Sequence, residues 1–213
     1  MKKHKKKGII KTILLNHIQN NLKDYCILLL LFVIGIIIGV IFINNTSVEQ
    51  KNEITNYMNT FIHTLKENPN LNYGDLLKDS LIQNLLLAVA LWFSGTAIML
   101  LPFIYGMVVF RGFCLGYTIS SIVAILGSGQ GTLFVLLGLL LQNIFFIPAL
   151  LALAGSGIRL YKTIIKDKRR DNIKLEIYKH SIFCFIIAIL LVISSLLEVY
   201  LSSNLLITYV TWI

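Results

Sequence analysis

Four histidines, three cysteines and a few polar residues inside apolar tracts are what this 213-residue chain offers for chemistry. Hydrolysis within a membrane needs a Ser/Lys or Ser/His dyad, an HExxH helix, or paired aspartates within spans. No such spacing is visible in the sequence. His180 and Glu198 fall on one helical stretch, too far apart at 1.5 Å per residue to pair. His63 sits among the carboxylates of residues 44–81, without a paired nucleophile, and reads as a solvated group. Cys26, Cys114 and Cys184 lack the CxxC and metal-ligand spacings, so they read as small packing residues without a disulfide. The turn Gly127-Ser128-Gly129-Gln130-Gly131 has no Lys or Arg beside it and is no phosphate loop. No catalytic, metal or cofactor site is expected. What remains is Gln142-Asn143 and Glu198 at membrane depth, where such groups hydrogen-bond across helices or line a cavity.

The elements that must carry these residues are membrane helices. The chain is 56% hydrophobic and 14% charged, against about 45–50% and 25% for a soluble domain. Its net charge of +9 would raise nucleic acid as a partner in a soluble protein. Here the basic residues flank apolar runs, which points to membrane topology and to no nucleic acid.

The pattern predicts an all-α, polytopic membrane protein with five transmembrane helices in a single membrane domain, 1–213. Residues 1–24 form a cytoplasmic basic segment whose apolar residues recur at helical spacing, an amphipathic helix suited to anionic membrane lipids. The first span is about 26–43, too long for a signal-peptide core and without a cleavage site, hence a retained anchor. It holds Gly35 and Gly39, one turn apart, where another helix can approach closely. Residues 44–81 form an extracytoplasmic loop. Within it Tyr57, Met58, Phe61, Ile62 and Leu65 share one face of an amphipathic helix, the candidate partner-binding surface. A short helix is expected over 73–80.

The second span is about 83–104, ending at Pro102, and the third about 112–127, opening with Gly112 and Gly116. Arg111 is the one charge in that tract, so it is expected at the cytoplasmic turn between them. The fourth span is about 132–154; the basic loop 158–180 leads to the fifth, about 181–201, and a short tail. With the N-terminus inside and the C-terminus outside, sixteen of the nineteen basic residues lie inside, as the positive-inside rule requires.

The stretch Phe110-Arg111-Gly112-Phe113-Cys114-Leu115-Gly116-Tyr117-Thr118 resembles the signature turn of the stage II sporulation protein M family. The basic N-terminus, the loop between the first two spans, Gln142-Asn143 and the basic connection before the last span agree with it. The resemblance implies a non-catalytic scaffold in the cell membrane of an endospore former. It would localise peptidoglycan hydrolases, stage II sporulation proteins D and P, at the septum so that the mother-cell membrane can migrate around the forespore during engulfment. A homo-oligomer is compatible with it. The alternative is a transporter or permease subunit with a polar site at Gln142, Asn143 and Glu198. Its discontinuous helices would be marked by Pro102 and Pro148.

Overall fold

The computed structural model describes residues 22–67, 72–97, 100–166 and 170–212, and all the elements among them are helical. They are α1 (Leu22–Asn44), α2 (Val48–Glu67), α3 (Tyr73–Thr96), α4 (Leu101–Val135), α5 (Leu141–Lys166), α6 (Arg170–Leu196) and α7 (Ser203–Trp212). A π turn over Leu136–Leu140 joins α4 to α5, and a second over Leu197–Ser202 joins α6 to α7. The amphipathic segment expected over 1–24 lies outside the described residues, apart from its last three positions.

Among the described residues four helical stretches are long and apolar enough to cross a membrane: Leu22–Asn44, Tyr73–Thr96, Leu101–Ile165 and Ile173–Thr211. The third has 65 residues, about 98 Å if straight, some three times a bilayer core of roughly 30 Å. It is not straight. Gly127 has φ +82° and ψ 165°, a conformation open essentially to glycine alone. Beyond it the chain doubles back: a Cβ on Gly131 would stand 2.8 Å from Val123 Cα, whereas eight residues of straight helix span about 12 Å. The glycine-rich turn is thus a hairpin between two antiparallel helical arms.

Arg111 does not join two helices, contrary to expectation. α3 ends at Thr96 with Ala97 extended, the Leu100 N–H donates to the Ala97 carbonyl at 2.9 Å, and α4 runs unbroken through Arg111. Pro102 sits in the first turn of α4, where its missing N–H costs no hydrogen bond, rather than at the end of the preceding helix. The second apolar helix is correspondingly earlier. No breaker lies between Asp75 and Gln83, so the expected short helix is the start of α3. Asn72 caps it, accepting from the Gly74 N–H at 3.2 Å and donating to Asp75 Oδ2 at 2.6 Å. The expected tail also continues as helix, through the second π turn into α7.

The closest packing is between α1 and α4. A Cβ on Gly112 would strike the Phe32 carbonyl, and one on Gly116 would lie 2.8 Å from Ile36 Cα. In return, a Cβ on Gly35 would strike the Val109 carbonyl, and one on Gly39 would lie 2.7 Å from the Tyr117 nitrogen. The two GxxxG faces are each other's partners, and the register (Phe32 at Gly112, Ile36 at Gly116) makes the helices parallel. Phe42 closes the seam edge-on to Phe113, ring centroids 5.6 Å apart.

The main core draws on five helices, with Leu28, Leu91, Ile104, Leu150, Ile158 and Leu191 almost fully buried. A second, smaller core of Leu65, Ile122, Phe134 and Val210 binds α2 and α7 to the Gly127 end of the bundle. The outer face of α1 keeps Leu30 60% exposed and Ile41 54% exposed, as a helix facing lipid should.

Candidate functional site

Glu198 is the centre of the polar residues inside the bundle. Ser80 of α3 donates to its Oε2 at 2.5 Å, and the Gln142 side-chain amide of α5 donates to the same oxygen at 2.7 Å. One helical turn from these contacts, Asn84 donates to Ser195 Oγ at 2.8 Å, and Ser194 donates to the Gln142 backbone carbonyl at 3.1 Å. Three helices are thereby tied at depth. An unpaired polar group there would cost several kcal/mol, so each of these side chains needs the others.

The two π turns set this geometry. Glu198 lies within the second, and Gln142 and Asn143 follow immediately after the first; the two turns touch. A π turn inserts one residue into the helical repeat and re-aims the side chains around it. Gly138 allows the close approach, since a Cβ there would lie 2.9 Å from the Leu206 side chain of α7. Asn143 takes a local role and donates to the Leu139 carbonyl at 2.7 Å.

Arg111 faces the same region. With Glu198, Gln142, Asn143, Ser80 and Asn84 it lines a cavity of about 190 Å³, and its guanidinium lies 4.9 Å from the Phe146 ring centroid. A charge in mid-helix is tolerable in a membrane when it faces the bundle interior and stacks on an aromatic ring. The transporter reading grouped Gln142, Asn143 and Glu198. The structure joins Gln142 to Glu198 and turns Asn143 to its own backbone.

A second constellation escaped the sequence reading. Ser156 Oγ is 2.7 Å from His180 Nδ1, with Cys184 Sγ 3.5 Å from Nε2. All three are buried, and Gly95 of α3 packs on the ring, where a Cβ would lie 2.9 Å from Nε2. The pair fastens α5 to α6. The signal for it was present: α5 and α6 form an antiparallel hairpin, and the Ser156/His180 and Gln142/Ser194 pairs are both centred on position 168. Asp24 also escaped notice. It is buried in α1 and pairs with Lys162 of α5 at 2.6 Å. The start of α1 and the basic end of α5 therefore share one face of the bundle. Among the described residues no group of His, Cys, Asp and Glu is placed to hold a metal ion.

Helix α2 is divided in its packing. Leu65 is buried in the second core, with Met58 and Ile62 packed against that core. Tyr57 is 76% exposed and Phe61 39% exposed. Three of the five residues grouped as a partner surface are thus committed to the protein's own packing. Tyr57 and Phe61 stand open at the rim of a cavity of about 430 Å³ that reaches down to Ser202 and Glu198.

Membrane-length helices, a parallel glycine seam and polar ties at depth define a polytopic helical membrane protein. Residues 28–203 match the family model of stage II sporulation protein M, and the chain belongs to that family. The match begins in α1 and ends just past the second π turn, so it takes in both glycine faces and the Glu198 cluster. No curated protein and no solved structure matches the chain.

Proposed function

We propose that this sporulation-family membrane protein is a non-catalytic scaffold. It holds the peptidoglycan hydrolases, stage II sporulation proteins D and P, at the septal membrane during engulfment. Its membrane topology has five crossings: α1, α3, the Leu101–Gly127 arm, the arm after Gly127, and α6. The parallel packing of α1 with α4 supports this count, since first and third crossings must run the same way. The N-terminus is then cytoplasmic and the C-terminus outside. With Arg111 inside a crossing, fifteen of the nineteen basic residues remain on the cytoplasmic side, still a strong positive-inside bias.

Partners that act on the cell wall must be met outside. The observation that carries the scaffold reading is the exposure of Tyr57 and Phe61 on a helix docked by its other face to the bundle. Aromatic residues held rigidly on a supported helix are the usual anchors of a protein interface. The test is affinity purification from sporulating cells of the wild type and of the double variant Tyr57→Asp, Phe61→Asp. Proteins D and P are expected with the wild type and lost from the variant, at equal membrane levels of bait. Undiminished recovery of both from the variant would remove α2 as the contact surface. Leu65 is no substitute in this test, because it is 3% exposed and a charge there would unseat α2 itself.

A further inference from the structure

A groove of about 340 Å³ runs between α5 and α6 on the face where Asp24 meets Lys162. Its lining changes character along its length. Arg159, Glu176 and Lys179 form the mouth, Ser156 and His180 follow, and Ile182, Phe183 and Ile186 lie farther along α6. From Glu176 to Ile186 is about 15 Å of helix. A charged mouth leading to an apolar wall over that distance is the shape of an amphiphile, not of a water-soluble anion.

The level is also that of a membrane interface. Trp92 of α3 donates its indole N–H to Ser181 at 3.0 Å, beside the groove. Tyr25 of α1 packs on Gly155, whose Cβ would lie 2.9 Å from the ring, and Tyr178 is 68% exposed. Such aromatics sit at the headgroup level of a bilayer; Tyr178 lies at the charged end of the groove, and Trp92 and Tyr25 lie at the level where its charged part gives way to its apolar part.

The charges at the mouth select the head group. Lys179 and Glu176 are paired at 2.6 Å and cancel each other, which leaves Arg159 as the surplus among the described lining residues. One positive charge that forms forked hydrogen bonds suits one phosphodiester. The Glu176 carboxylate beside it accepts from hydroxyls, which a glycerol head group offers.

We propose that this groove holds one anionic phospholipid. Its phosphate sits at Arg159, its head-group hydroxyls reach Glu176, and an acyl chain lies along Ile182, Phe183 and Ile186. The lipid wedges into the α5–α6 hairpin, next to the Ser156–His180 fastener. This is separate from the external surface on α2 and stands or falls independently of it.

The test uses the full chain purified into nanodiscs of phosphatidylcholine containing a minority of phosphatidylglycerol, with co-purifying lipid counted by native mass spectrometry. Phosphatidylglycerol is expected to be retained well above its share of the bilayer. Arg159→Gln should lower that retention about tenfold, the loss of one charge-assisted hydrogen bond. Arg159→Lys should restore part of it, and Ile186→Trp, which fills the apolar end and leaves the charge, should also lower it. Lys51→Gln, an equal charge change on the far side of the bundle, should retain the lipid as the wild type does. Thermal unfolding and size-exclusion profiles of the variants identify any that fail to fold; the proposal is judged on those that fold. Retention in proportion to bilayer composition would overturn it. So would wild-type retention by both Arg159→Gln and Ile186→Trp, or equal binding of free glycerol phosphate in pure phosphatidylcholine discs.

Discussion

Gln142 and Glu198, fifty-six positions apart, meet through a 2.7 Å hydrogen bond between two helices that both depart from α-geometry at that point. The carboxylate accepts from Ser80 as well, so its removal leaves two donors without a partner. Glu198→Ala is expected to destabilise the protein by about 2 kcal/mol, the cost of stranding buried donors. Glu198→Gln keeps an acceptor oxygen in place and should cost less than half as much. Thermal unfolding in detergent, with both variants beside the wild type, gives the order; equal losses would show that the carboxylate charge, not the hydrogen bonds, is what matters.

The glycine seam makes a comparison within one helix. Gly116 faces the Ile36 backbone, while nothing lies within 4 Å of the Cβ position of Gly106. Gly116→Ala must push α1 and α4 apart and should lower the melting temperature. Gly106→Ala meets open space and gains helix propensity of up to about 1 kcal/mol. If the two substitutions shift the melting temperature alike, the seam is not close-packed.

Much of this seam was legible in the sequence, because a four-residue glycine spacing on apolar helices has one common use. The hairpin at Gly127 was legible for the same reason: breakers cluster there. Arg111 misled because it was the one charge in its tract and was weighed above Pro102, which marks the true helix start. The sequence does not reveal that Phe146 and a polar cavity await it, since those come from side chains such as Asn84 and Glu198, 27 and 87 positions away. The Asp24–Lys162 pair was hidden likewise, and the Ser156–His180 pair becomes legible only once α5 and α6 are read as one antiparallel hairpin centred near position 168.

Gly127 supports a prediction about backbone rather than packing. Its Cβ position is open, yet its φ of +82° is one that side chains resist. Gly127→Ala should cost about 1–3 kcal/mol through strain alone, with no clash to relieve. Gly129→Ala, also in open space but without positive φ, is expected to be near neutral. A chemical-denaturation midpoint that moves equally for both would contradict the hairpin geometry.

The Asp24–Lys162 pair is unequal, with the carboxylate side chain 9% exposed and the ammonium side chain 54% exposed. Lys162→Met strands a buried carboxylate and should destabilise more than Asp24→Asn, which leaves a lysine free to reach water. Solvent screening at the lysine keeps the pair's own coupling to about 1 kcal/mol or less. A double-mutant cycle measures it, and the reverse order of the single variants would mean that the carboxylate is already solvated.

The scaffold account is tested most directly by where the hydrolases go in living cells. Fluorescently tagged protein D or P should gather at the septum in sporulating cells carrying the wild-type chain. With Tyr57→Asp and Phe61→Asp, the tagged hydrolases should disperse while the membrane protein itself stays at the septum. Hydrolases that still gather at the septum with that variant, at wild-type levels, would contradict the account.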